Sequence, residues 1–143
     1  MAKVLLVGVD GSEAGGRALA FARGRAEDLG ATLVLAHVIP WSPYSFNTPE
    51  ENEARHLRRE AELAAARDQL LGPARAAAGD GIEVITVVKH GDRAELLNEL
   101  AREHGADHII VGRTGDSPLK TRIFGSVPAT LTQIADVPVT VVP

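Results

Sequence analysis

Cysteine is absent from this 143-residue chain, which excludes disulfides, thiolate catalysis and zinc sites built on sulfur. Aromatics are scarce, with one Trp, one Tyr and three Phe, too few for the stacking platforms of single-strand nucleic-acid binders. An excess of positive charge is also missing. Lys and Arg number 15 against 19 Asp and Glu, and the net charge of -4 repels a phosphate backbone, so nucleic acid is not an expected partner. No stretch nears the ~20 apolar residues a membrane span needs. The amino terminus passes at once into a short apolar run ended by Asp10, and the expectation is a cytoplasmic protein without membrane insertion.

Hydrophobic residues, mostly Val, Leu, Ile and Ala, make up 45% of the chain, enough for one core and one domain over residues 1–143. Val4 to Val9 is a continuous apolar run that stops at Asp10-Gly11-Ser12, as a buried strand does at a turn. Ser12 then caps a helix with an apolar stripe of Ala18, Leu19, Ala22 and Leu29 that stops at Gly30. Thr32 to Ile39 reads as the second strand, and Glu50 to about Leu71 as a charged, Ala-rich helix that Gly72-Pro73 should stop or kink. Ile82 to Val88 is the third strand, Asp92 with Glu95 opens a helix running to about His104, and His108 to Val111 is the fourth strand. Ser126 to about Ala135 is the last helix, with Pro128 in its first turn, and Val137 to Val142 the fifth strand. Five strands alternating with four helices predict an open, doubly wound parallel sheet with helices on both faces and a ligand crevice at the carboxyl ends of the strands.

After the fourth strand, Gly112, Gly115 and Gly125 surround a loop that closes on Ser126 at a helix start. Backbone N–H groups and a hydroxyl there suit phosphate oxygens; the same glycines also serve as plain turn residues between strand and helix. No Gly-Lys-Ser or Gly-Lys-Thr follows, so this is not a Walker loop, and the dinucleotide fingerprint is missing after strand one.

The spacing Gly112, two residues, Gly115, nine residues, Gly125-Ser126 resembles the universal stress protein family, specifically its ATP-binding branch. Val7-Gly8-Val9-Asp10-Gly11-Ser12, Ala36-His37-Val38-Ile39 and Pro138-Val139-Thr140-Val141-Val142 extend the resemblance over nearly the whole chain, apart from the variable segment Trp41 to Pro49. The resemblance implies the strand order 3-2-1-4-5. It also implies that Asp10 and the Val38 backbone approach adenosine while Gly112, Gly115, Gly125 and Ser126 line the ribose and phosphates. Without it, Asp10 is as readily a turn former and Val38 an ordinary core residue.

Other signals carry less. His37, His56, His90, His104 and His108 form no pairing typical of a compact metal site, and Ser12, Ser117 and Ser126 lie in no nucleophile elbow. Arg113, Lys120 and Arg122 are read as solvated, and the helix from Glu50 to Asp68 as amphipathic with a wet outer face. Trp41, Tyr44 and Phe46 form a nucleotide lid, a protein contact or a cover for the sheet edge.

The expected function is therefore ATP binding by a stress-response or regulatory protein, with Mg2+ as a companion of the phosphates and no catalytic residue assigned. A nucleotide-free dimeric scaffold or signalling adaptor is the first alternative, and a weak ATP hydrolase or phosphotransferase the second. The resemblance and the apolar edge Val137 to Val142 predict a homodimer through strand five, and a protein client or transporter is the expected partner.

Overall fold

The computed structural model describes residues 3–40, 48–113 and 126–143. Five parallel strands, β1 (Val4–Gly8), β2 (Thr32–Ile39), β3 (Val84–His90), β4 (His108–Gly112) and β5 (Val139–Val142), stand in the order β3-β2-β1-β4-β5. The expected order is the observed one. Alternate residues of the central strands feed two separate cores, as the two-residue period of a doubly covered sheet requires. Leu5, Val7, Leu33 and Leu35 pack beneath α1 (Glu13–Leu29), through Ala18, Leu19, Ala22 and Ala26. Leu6, Val34, Ala36 and Val38 meet Ala94, Leu97, Leu100 and Leu131 on the opposite face.

The first helix starts where Ser12 accepts from the Gly15 N–H, and it ends at Gly30, whose φ of 65° is the left-handed conformation of a helix stop. Its body lies against β1, β4 and β5. Thr48 and Glu51 form a reciprocal capping box on α2 (Pro49–Ala66). That helix buries no residue fully.

Gly72-Pro73 does not stop this helical path. A π turn (Arg67–Leu71) carries it into α3 (Gly72–Ala78), giving five α-helices among the described residues where four were expected. The Gly72 N–H bonds back five residues to the Arg67 carbonyl, and Pro73 falls in the first turn of α3, where its missing N–H is not needed. Strand three also begins later than Ile82: Gly79 and Gly81 have φ of 78° and 92°, and pairing starts only when the Leu33 N–H reaches the Glu83 carbonyl.

On the second face, α4 (Arg93–Glu103) is capped by Asp92, which accepts from the Glu95 N–H. The last helix, α5 (Ser126–Ile134), buries Pro128 in its first turn. Asn98 is the buried polar residue of this layer: it donates to the Ile134 carbonyl and to Asp136, and accepts from the Asp136 N–H. Arg102 completes that junction with two bonds to Asp136 Oδ2.

Candidate functional site

The order of connection reverses between the parallel strands β1 and β4, whose following helices leave on opposite faces of the sheet. A parallel sheet opens a crevice at such a switch point, outside the carboxyl ends of the strands. Asp10 stands at the end of β1, exposed, and its Oδ1 accepts from the Ser12 N–H at 3.0 Å and the Ser12 hydroxyl at 2.6 Å. Ser12 Oγ in turn accepts from the Gly15 N–H at 3.0 Å. This relay pins the carboxylate over the start of α1 and leaves Oδ2 without a hydrogen bond among the described residues.

Gly15 is part of that arrangement. A Cβ on it would lie 2.3 Å from Asp10 Oδ1. Gly112, at the end of β4, approaches the same helix start, where a Cβ would meet the Ala14 carbonyl carbon at 2.6 Å and the Gly15 nitrogen at 2.8 Å. The close approach made by Gly112 in the structure is thus to the first turn of α1.

Val38 is buried near the end of β2, its side chain in the second core. Ala36 uses its carbonyl toward β1, accepting from the Val9 N–H, whereas Ile39 uses its carbonyl toward β3, accepting from the Gly91 N–H. Strand alternation therefore turns the Val38 backbone toward β1, beyond Gly8 where β1 has ended. The Val9 carbonyl is engaged by the His37 ring; the Nδ1 position carries the proton, because a carbonyl only accepts.

Ser126 opens α5 across the crevice, and no acidic residue occupies that helix's first turn. Gly115 and Gly125 lie outside the described residues, as do Trp41, Tyr44 and Phe46. Asp10, Val38, Gly112 and Ser126 all come to the carboxyl side of the sheet. Between the starts of α4 and α5 a cleft of about 230 Å³ is lined by Pro40 and Gly91, by Asp92, Arg93 and Ala94, and by Ser126, Val127 and Thr130. Arg93 and Gly15 are the two residues here that the sequence reading passes over. Their signals were a cation at the first position of a helix that follows a strand, and a glycine inside a helix just after Asp10.

Among the described residues no group of three or more His, Asp or Glu is placed to hold a metal ion, and no helix is long and apolar enough to cross a membrane. The five histidines are scattered. His90 meets Glu62 of α2 at 2.9 Å, and His108 meets the Thr140 hydroxyl.

Comparison with known proteins agrees with this architecture. Over 152 aligned residues the chain is 30% identical to the universal stress protein YxiE of Bacillus subtilis, covering 96% of this chain and 97% of that protein. The structure of universal stress protein UspA from Lactobacillus plantarum superposes with a TM-score of 0.83 at 25% identity, over 99% of this chain and 97% of that one. A universal stress protein in complex with cAMP matches with a TM-score of 0.63 at 29% identity, over 99% and 96%. The model of the universal stress protein family matches residues 1–143, and the chain belongs to that family.

Proposed function

We propose that this protein binds ATP in the crevice between β1 and β4 and acts as a regulatory protein whose loops or partner surface respond to occupancy. The observation that carries the reading is the Val38 backbone, turned toward the crevice beyond the end of β1, beside an Asp10 carboxylate with one oxygen uncommitted. A base edge needs a paired donor and acceptor of that kind, and a ribose hydroxyl suits the remaining Asp10 oxygen. Ser126 and the N–H groups that open α5 suit phosphate oxygens, with Gly115 and Gly125 of the preceding loop completing the cradle. A family member that carries cAMP supports an adenine nucleotide as the ligand class.

In this reading the nucleotide is held rather than turned over. The assembled groups are backbone donors, hydroxyls and a carboxylate already engaged by Ser12, which orient a ligand without activating a nucleophile. Mg2+ would arrive with the phosphates, since Asp10 offers a single uncommitted oxygen. Calorimetric titration with ATP, together with mass identification of any nucleotide retained after mild purification, tests the reading. Saturable binding is expected, and a folded protein that binds no adenine nucleotide would overturn it.

A nucleotide-free dimeric scaffold is the second reading, and one observation favours it. Gly112 and Asp10 both have packing or capping roles at the start of α1 that need no ligand. Pairing of two copies through β5 belongs to either reading.

A further inference from the structure

The ladder between β1 and β2 stops one rung early, and a side chain stops it. Gly8 stands in register with Ala36, and the Val9 N–H makes the last rung, to the Ala36 carbonyl at 2.8 Å. Parallel alternation puts the next rung between the Val38 N–H and the Val9 carbonyl. That bond is not made among the described residues. The His37 ring takes the Val9 carbonyl instead, through Nδ1. Alternation along β2 brings the ring to the face of Leu33 and Leu35, where Val9 also packs. The following rung, from the Gly11 N–H to the Val38 carbonyl, is lost to the turn at Gly11, whose φ is 79°. Both backbone groups of Val38 thus reach the carboxyl edge of the sheet without a ladder partner among the described residues.

A carbonyl with an amide in register ordinarily pairs with it, because a buried N–H left alone costs as much as a lost hydrogen bond. Val38 is 5% exposed, so the ring satisfies the acceptor and strands the donor. For the folded chain alone that exchange gains nothing. It becomes favourable once a ligand brings an acceptor to the Val38 N–H.

Resting on the nucleotide reading above, we infer that His37 is a positioning residue: by holding the Val9 carbonyl it keeps the Val38 N–H free to meet a ring nitrogen of adenine. It touches no ligand itself. An apolar side chain at this position would let the Val9 carbonyl close the rung with Val38, and the base would then have to break that bond to enter. The effect falls on the base and not on the phosphates.

The test joins amide hydrogen exchange at Val38, followed by nuclear magnetic resonance, to calorimetric titration with ATP and adenosine, for the wild type, His37→Leu and His37→Asn. Asn keeps a donor near the place of Nδ1 and Leu does not. In the free wild type the Val38 amide should exchange faster than the Ala36 amide of the ladder, and ATP should slow it. His37→Leu should protect Val38 without ligand and weaken ATP and adenosine by the same factor, roughly fivefold to tenfold, as competition from one hydrogen bond does. His37→Asn should recover most of the affinity. Full ATP affinity in a folded His37→Leu protein would overturn the inference and leave the nucleotide reading standing. Weakened binding with Val38 still unprotected would also overturn it, assigning His37 to packing alone. Should His37→Leu fail to fold, the wild type decides, since a Val38 amide already protected without ligand overturns the inference. A wild type that binds neither ATP nor adenosine would sink both.

Discussion

A methyl group at position 112 would sit 2.6 Å from the Ala14 carbonyl carbon and 2.8 Å from the Gly15 nitrogen, inside any tolerable contact and against backbone that cannot step aside. Gly112→Ala should therefore destabilise the free protein by about 1–3 kcal/mol, as overpacking of a close junction does, seen as a lower urea midpoint at unchanged slope. An unchanged midpoint would mean that α1 and β4 are further apart than described. Gly15 gives the complementary case. Alanine in a helix is normally better than glycine by about 1 kcal/mol, but here its Cβ would displace the Asp10 carboxylate from 2.3 Å. Gly15→Ala should keep the helical circular dichroism and weaken ATP binding severalfold, and unaltered binding would remove Asp10 from the site. The family spacing made Asp10 and Gly112 legible in the sequence. It did not separate the two uses of Gly112, because a glycine next to a ligand and a glycine next to a helix look alike until the neighbouring backbone is known. Gly15 was illegible for a related reason: its constraint comes from a side chain folded back over the helix start.

Strands announced themselves as apolar runs, and their order followed the resemblance, whereas the path from α2 through the π turn to α3 did not follow from Gly72-Pro73. A proline marks the loss of one N–H, and the π turn absorbs that loss without ending the helix. The turn also sets Leu70 against Gly11, where a Cβ would lie 3.1 Å from the Leu70 side chain and where φ is 79°. The helices thus touch the loop that carries Asp10. Between β4 and β5, His108 bonds the Thr140 hydroxyl, and burial, with Arg25 nearby, holds its imidazole below the ordinary 6.5. The unfolded chain takes up that proton more readily, so this contribution is whole above pH 6.5 and is lost as the pH falls through the depressed value. Stability measured by urea titration should decline on that limb, and His108→Gln should flatten it; an identical profile in the variant would assign the decline elsewhere. Hydrogen bonds from Arg102 and Asn98, and the Arg102 charge, hold the Asp136 carboxyl below 3.8. Its contribution is therefore present above that value and lost as the pH falls through the folded one, with solvent screening keeping it small.

Two edges bound the sheet, β3 and β5, and every residue of β5 is only partly covered. The Pro138 and Val142 carbonyls accept from Ile109 and Arg113 of the inner neighbour, so by alternation Val139 and Val141 turn their backbone groups outward. Sedimentation should show a dimer for the wild type and a monomer for Val141→Pro, which deletes an outward donor while sparing the inner ladder. A wild type that stays monomeric at working concentrations would overturn pairing through this edge. The central position of β1 has a consequence for how the protein is made. On one side β1 meets β2, close in sequence, but on the other Leu5 is in register with His108. During synthesis, when domains assemble from the amino terminus at about 5–20 residues per second, the most apolar strand waits with one flank bare until the final quarter of the chain emerges. A truncated or stalled product ending before His108 would carry that open flank permanently, and it is this fragment, rather than the finished molecule, that most needs a chaperone.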